Sequence, residues 1–293
     1  MAGDTGVEEG VGLTALMVAA ARAIETHRHD ALARDVYAEH FVRAARASAG
    51  WPIRPHQVPD GDADPLWGRL GRYFGLRTRV LDDFLLSQVR DGARQVVLLG
   101  AGLDTRAYRL DWPPGCTVFE VDQEDVLAFK DRVLAGLRAT PKAERVTIGA
   151  DLRLEWAKAL TGAGFDPAAP AAWLAEGLLL YLPRAAERAL IEAVDGLSAA
   201  GSALAYEIKL GVESAAVRES SIYSAARRTG IDLLVLFDGD PRPDSAADLT
   251  ARGWGTSVHT AFEFTRRHGR GPHPEPEQHD ALAANRWVFA GRP

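Results

Sequence analysis

The stretch that decides the fold runs Gln95-Val96-Val97-Leu98-Leu99-Gly100-Ala101-Gly102-Leu103-Asp104-Thr105-Arg106. It opens with a largely apolar run as long as a buried strand, followed by a Gly-x-Gly turn and the start of a helix. Gly100 and Gly102 allow a tight turn against which a ligand can lie, while the free N–H groups of the following helix face that ligand. An ordinary strand-to-helix turn also uses glycine, so the surrounding sequence has to decide between the two interpretations.

Short apolar runs alternate with helical patterns on the carboxyl side of this turn, which is typical of a buried parallel sheet. Helices are predicted at Gln123–Arg138, Arg184–Leu197 and Val212–Thr229. Two final strands flank a Pro/Gly/His-rich loop at His268–His279 and should pair antiparallel. The predicted strands are Gln95–Leu99, Thr117–Val121, Arg145–Gly149, Ala171–Glu176, Ser202–Glu207, Gly255–Phe264 and Asn285–Ala290. The fold class is therefore α/β, a doubly wound and mostly parallel sheet with a C-terminal antiparallel strand pair.

The amino side of the turn has helical spacing from Leu13 to about Leu86, broken by two proline-containing segments at Trp51–Pro55 and Val58–Pro65. A long helix should resume near Leu66 and run to Arg90. We predict an N-terminal helical cap at residues 1–90 and a ligand-binding domain at residues 91–293. The cap and a helical insert at about residues 212–229 should close over a substrate pocket, because a bare sheet edge is open to water.

Composition excludes several classes of protein. The chain has 293 residues, of which 25% are charged and 47% hydrophobic, as in a soluble globular protein. A formal net charge of -6 argues against a nucleic-acid partner, and no apolar stretch is long enough for a membrane span. A single cysteine, Cys116, and unsuitable histidine spacing argue against a metal site. The acidic N-terminus lacks a secretory signal, so we expect a cytoplasmic location; the oligomeric state stays open.

Acidic residues follow three of the predicted strands. Asp122 comes about twenty residues after the glycines, where a carboxylate can accept both hydroxyls of a ribose. Asp151, followed by Leu152, ends the third strand, where it could meet an adenine amine, and Glu176 ends the fourth. Asp122 and Asp151 could equally cap the helices that follow them, and Asp122 could do both. All three acids should lie at one edge of the sheet, where ligands bind.

The features so far fit both a nicotinamide dinucleotide and S-adenosylmethionine. The dinucleotide fingerprint has a third glycine where this chain has Thr105. Asp104 beside it would repel a pyrophosphate but could accept a hydrogen bond from an ammonium group. The first strand also comes late, behind a long helical region. These points favour S-adenosylmethionine as the cofactor.

The motifs together resemble those of the leucine carboxyl methyltransferase superfamily, especially its bacterial branch, which includes O-methyltransferases of polyketide pathways. The resemblance covers nearly the whole chain and rests on Arg77–Asp83, Leu99–Arg106, Phe119–Asp122 and Ala175–Leu182. It implies a class I, Rossmann-like methyltransferase fold. The chain departs from the family where Val36 and Glu124 replace frequent prolines, which affects the substrate side more than the cofactor side.

The resemblance also implies roles for individual residues. It places Arg77 on the carboxylate of the cofactor, the two glycines under its methionine part, Asp122 on the ribose, and Asp151 with Leu152 on the adenine. Glu176 would lie near the amino-acid end. The full predicted cofactor set is Arg77, Gly100, Ala101, Gly102, Asp104, Asp122, Gln123, Asp151, Leu152 and Glu176.

The methyl acceptor is the least determined part. Arg106, Arg109 and Tyr181 are candidates for the acceptor side, and each could instead be a packing residue. We find no histidine or lysine beside the strand-end motifs, and therefore expect an acceptor that is already anionic or is activated by arginine contacts alone. The expected activity is O-methylation of a carboxyl or hydroxyl group on a small natural product. Methylation of a protein C-terminus, a noncatalytic cofactor-binding role and a nicotinamide oxidoreductase stay open as alternatives.

Overall fold

The structure is a computed structural model that describes residues 6–211, 214–239, 242–273, 275–276 and 279–293. The described residues form one sheet with strands β1 (Gln95–Leu99), β2 (Thr117–Asp122), β3 (Glu144–Gly149), β4 (Ala171–Ala175), β5 (Ala203–Lys209), β6 (Gly255–His259) and β7 (Asn285–Gly291). Their order is β3-β2-β1-β4-β5-β7-β6. The first five strands run parallel, and β7 pairs antiparallel with both β5 and β6. The predicted fold class is confirmed.

Helices cover both faces of this sheet. They are α1 (Gly10–Thr26), α2 (Ala38–Ala44), α3 (Gly71–Arg90), α4 (Arg106–Arg109), α5 (Glu124–Gly136), α6 (Trp156–Gly162), α7 (Arg184–Gly196), α8 (Ala215–Arg218), α9 (Ser221–Arg228), α10 (Leu233–Leu236), α11 (Ser245–Ala251) and α12 (Ala261–His268). Along β1, Val96 and Leu98 enter the core shared with α1 and α3, while Val97 and Leu99 enter the core shared with α6 and α7. Burial on both faces explains why β1 reads as one apolar run.

The position of the ligand edge follows from the strand order. β1 lies between β2 and β4 and is parallel to both, so successive crossovers leave it in opposite directions. A doubly wound sheet binds ligands outside the carboxyl ends of its strands at such a switch point. The Gly100–Gly102 turn leaves β1 at this point, and α1 supplies a wall of the space above it.

The structure corrects two of the predicted elements. The strand predicted at Gly255–Phe264 ends at His259, because Thr260 and Glu263 form a capping box that starts α12. The helix predicted at Val212–Thr229 is two short helices, α8 and α9, and Val212 itself lies outside the described residues. The division into residues 1–90 and 91–293 stays a prediction.

In the part of the chain that the structure describes, no helix combines the length and the apolar character needed to cross a bilayer.

Candidate active site

The glycine turn after β1 is held against the end of β2. Gly100 and Gly102 have φ angles of 65° and 46°, in the left-handed region that favours glycine. The N–H groups of Gly100 and Ala101 donate to the Val121 carbonyl at 2.9 and 3.1 Å. A Cβ on Gly100 would lie only 2.9 Å from the Leu178 side chain. The turn therefore needs glycine at residue 100 for its backbone conformation, and a larger residue would also have to displace the end of the Leu178 side chain.

Asp122 fastens this turn to β2. Its Oδ2 accepts the Gly102 N–H at 2.6 Å, and its Oδ1 accepts the Gln123 N–H at 2.7 Å. It does not cap α5, which begins at Glu124 with no side-chain cap. Burial raises the pKa of Asp122 and outweighs the two backbone hydrogen bonds. Each carboxylate oxygen has used one lone pair, so both can still accept a hydrogen bond from a ligand.

The β2 cavity, which we define by its lining residues Asp122, Gln123, Asp151 and Leu152, lies at the ends of β2 and β3. Arg153 binds both oxygens of Asp151, its Nη2 lying 2.6 Å from Oδ2, and this pairing lowers the pKa of the carboxyl. Gln123 Oε1 is buried and has no hydrogen-bond partner among the described residues. The structure thus brings together the residues predicted for ribose and adenine.

The β5 cavity, defined by Arg77, Glu207, Lys209 and Tyr223, lies on the other side of the glycine turn. Its wall includes α1, α3, α9 and α10. It shares seven lining residues with the β2 cavity, namely Thr14, Ala15, Gly100, Gly102, Glu176, Gly177 and Tyr181. The two cavities are therefore adjoining compartments that meet at the Gly-x-Gly turn.

Arg77 joins the carboxyl ends of β4 and β5. Its Nε donates to Glu176 Oε1 at 2.9 Å and its Nη1 donates to Glu207 Oε2 at 2.6 Å. Glu207 also accepts a hydrogen bond from the Tyr73 hydroxyl. Burial raises the pKa of Glu176, but Arg106 and Arg77 outweigh it and hold that pKa well below the usual range. Sequence analysis did not single out Glu207, although it lies near the end of the predicted fifth strand.

Arg106 and Arg109 enter a buried ion cluster beneath the site. Arg106 is 0% exposed and binds Asp82 through Nε and Glu176 through Nη1, each at 2.7 Å, and it also binds Asp104. Arg109 binds Asp82 at 2.5 and 2.7 Å. Neither arginine belongs to the lining of the two cavities as the described residues define it. Asp104 does line the β5 cavity, with its charge directed to Arg106.

Tyr181 and Lys209 are polar side chains that line the β5 cavity. Tyr181 lines both cavities, and burial raises its pKa to about 12. Lys209 ends β5 and lines the β5 cavity, so the expectation that no lysine adjoins the strand ends is wrong. Burial lowers the pKa of Lys209 to about 8, although Glu207 and Asp280 act in the opposite direction. Examining the polar residues at the carboxyl end of β5, as well as those at the ends of β1–β4, would have identified Lys209 from the sequence.

Within the described ranges of the chain, no three His, Cys, Asp or Glu side chains form a group that could hold a metal ion.

Comparisons with known proteins show which family this chain is similar to. A sequence profile described as leucine carboxyl methyltransferase matches residues 15–195, more than half of the chain. A protein of Streptomyces coelicolor, provisionally named an S-adenosyl-L-methionine-dependent methyltransferase, is 68% identical over 98% of this chain and 95% of its own. A Rhodococcus jostii protein with the same provisional name is 47% identical over 93% and 92% of the two chains.

Among solved structures, a DUF574 family protein from Streptomyces avermitilis aligns with a TM-score of 0.54 at 13% identity. The alignment covers 93% of this chain and 100% of that one, and at this identity it speaks to the fold alone. The profile match and the close relatives together establish that the chain belongs to the leucine carboxyl methyltransferase family of S-adenosylmethionine-dependent enzymes.

Proposed function

We propose that this protein transfers the methyl group of S-adenosylmethionine to a carboxyl or hydroxyl oxygen of a small molecule. The observation that carries the proposal is the pair of adjoining cavities that meet at the glycine turn. One compartment offers hydrogen-bond acceptors suited to a nucleoside. The other continues past the turn into a space lined by aromatic and aliphatic side chains, in which a small acceptor can be enclosed.

The residues of the β2 cavity fit the nucleoside part of the cofactor. Asp122 keeps a free lone pair on each oxygen for the two ribose hydroxyls. Gln123 Oε1, buried and unpaired within the described part of the chain, can accept a further hydrogen bond from the ligand. A buried polar atom without a partner is costly, so its position beside Asp122 supports a ligand there.

The methionine part of the cofactor fits the side of the turn near Arg77. Arg77 uses Nε and Nη1 for Glu176 and Glu207, which leaves Nη2 without a partner among the described contacts and able to bind a carboxylate. Glu176 lines both cavities and stays ionised at neutral pH, so it can accept a hydrogen bond from an ammonium group. Arg106 holds Glu176 from below and keeps its carboxylate oriented.

The chain itself mainly has to position the acceptor and exclude water. When bound, S-adenosylmethionine would supply a methyl group on a positively charged sulfur, and the sulfur would leave as a neutral thioether as an acceptor oxygen bonds to the methyl carbon. Met17 and Val18 of α1 and Phe237 beyond α10 line the β5 cavity with apolar surface that would exclude water around a bound acceptor. A carboxylate acceptor needs no base because it is ionised at neutral pH, whereas a hydroxyl needs a group that takes its proton.

Calorimetry with S-adenosylhomocysteine and with NAD tests the cofactor assignment. We expect S-adenosylhomocysteine to bind and NAD not to bind, because Thr105 stands where the dinucleotide fingerprint has its third glycine. Tight NAD binding would overturn the assignment.

Transfer from methyl-tritiated S-adenosylmethionine to a panel of aromatic carboxylates and phenols tests the acceptor. A methyl ester releases labelled methanol in mild alkali and a methyl ether does not, so one treatment separates the carboxyl from the hydroxyl product. Label found on polypeptide instead of small molecules would favour methylation of a protein C-terminus. Tight cofactor binding with no transfer to small molecules or to polypeptide would favour a noncatalytic role.

A further inference from the structure

Lys209 stands out among the groups in the β5 cavity because no carboxylate of the described residues forms an ion pair with it. Its side chain is buried, with the residue 6% exposed, and its Nζ donates to the Ala281 carbonyl and to Asn285 Oδ1, each at 2.7 Å. An ammonium group has three N–H donors, so one has no acceptor among the described residues. The nearby carboxylate of Glu207 is occupied by Arg77 and by Tyr73. Lys209 therefore presents an unused donor to the cavity, and Glu207 and Asp280 act on its charge without forming an ion pair with it among the described contacts.

Tyr223 presents a second unused donor to the same space. It lies on α9, is 2% exposed, and its hydroxyl has no hydrogen-bond partner in the described ranges of the chain. Lys209 Nζ lies 5.9 Å from the centre of its ring. A buried donor without an acceptor is costly, so two such donors in one cavity point to an acceptor oxygen that a ligand supplies.

The rest of the β5 cavity favours an aromatic body for that ligand. Phe237 packs against both Tyr181 and Tyr223, with ring centres 5.8 and 6.1 Å apart. Ile222, Leu233 and Leu282 complete the apolar lining. β4 lies between β1 and β5, so two inter-strand spacings, roughly 10 Å, separate β5 from β1. A ligand held at Lys209 therefore needs a body about one or two rings long to reach the glycine turn.

We propose that Lys209 and Tyr223 together bind an anionic oxygen, carboxylate or phenolate, on an aromatic methyl acceptor, and so position that acceptor. This inference rests on the proposed function, because it names the acceptor class of the same site. Lys209 is a binding residue here and takes no part in bond making. The ammonium group of Lys209 donates to two neutral acceptors, so its charge stays available for an incoming anion. Arg106 is paired with carboxylates, and its charge is not available in this way.

The test compares 2-naphthoate with 2-naphthamide, which share a ring system and differ in charge, by calorimetry on protein saturated with S-adenosylhomocysteine. We expect at least tenfold tighter binding of the naphthoate to the wild-type protein, loss of that preference in Lys209→Met, and a several-fold weaker naphthoate complex in Tyr223→Phe. Lys158→Met, at an exposed lysine, should keep the wild-type preference. Absence of naphthoate binding to the wild type, or a preference that survives Lys209→Met, would overturn the inference.

Two further measurements keep the result interpretable. Tyr223→Phe removes a hydroxyl that has no hydrogen-bond partner in the described part of the chain, so this variant should fold at least as well as the wild type. With 13Cε-labelled lysine, the signal absent from Lys209→Met should shift on adding naphthoate and stay in place on adding naphthamide; a signal indifferent to both would contradict the proposal. Failure of the wild type to bind S-adenosylhomocysteine would count against the proposed function itself, whereas normal cofactor binding with no role for Lys209 would count against this inference alone.

Discussion

Replacing Arg106 with methionine removes the cation at the centre of the buried cluster. Arg106 is 0% exposed and its guanidinium holds Asp82, Asp104 and Glu176. Methionine fills much of the same volume, but it leaves three buried carboxylates with less positive charge. Removing one partner of a buried ion pair costs about 3–5 kcal/mol. Asp82 keeps Arg109 and Glu176 keeps Arg77, so we expect the lower end, about 3 kcal/mol less free energy of unfolding at pH 7.

The pH dependence of that loss has a definite sign. In the wild type, Arg106 outweighs burial and holds the pKa of Glu176 and of Asp104 below their usual values. Without Arg106, less positive charge opposes burial, so both pKa values rise relative to the wild type and the folded variant takes up protons at a higher pH than the folded wild type does. Relative to the wild type, the variant therefore gains stability as the pH falls, by at most about 1.4 kcal/mol per pH unit for each group. The difference from the wild type should be smaller at pH 5 than at pH 7.

Urea unfolding followed by circular dichroism at the two pH values measures both effects. Arg109→Met is the matched control, because Arg109 pairs with Asp82 and lies outside the cavity lining defined by the described residues. It should lose less stability and keep its affinity for S-adenosylhomocysteine, whereas Arg106→Met should weaken it through Glu176. A variant Arg106→Met within 1 kcal/mol of wild-type stability at pH 7, defective only in methyl transfer, would refute this reasoning and restore Arg106 as an acceptor-side residue.

Three further predictions concern other parts of the molecule. Asp122→Asn should weaken S-adenosylhomocysteine binding about ten- to a hundredfold by calorimetry, because it replaces a charged acceptor worth roughly 1.5–3 kcal/mol; an unchanged dissociation constant would leave Asp122 with only its role in fastening Gly102. Deletion of residues 1–46 should unfold the protein, since Leu16 and Ile24 are almost fully buried; a cooperative thermal transition in the truncated chain would disprove this. Relative to Lys209→Met, the wild type should gain stability as the pH rises from 8 to 10, because folding lowers the lysine pKa to about 8 and the folded chain loses that proton first; a flat difference in urea midpoints would contradict it.

Prediction from sequence succeeded for features that depend on neighbouring residues. The apolar run at Gln95–Leu99 followed by two glycines is a local pattern, and the φ angles of Gly100 and Gly102 lie in the region that such a turn requires. It failed at Gly255–Phe264, where a strand pattern continues into a helix. The capping box of Thr260 and Glu263 was a readable signal for that helix start.

The sequence by itself determined the alternation of strands and helices, the turn after β1 and the acids at the strand ends, because periodicity and backbone conformation are local properties. Only the tertiary structure decided where charged side chains point. Arg106 binds Asp82 from α3 and Glu176 from the end of β4, and Lys209 meets Asn285 and Ala281 from the far end of the chain. A buried charge takes the partners that packing brings within reach, and residues 70 or more positions apart have no spacing that predicts their contact.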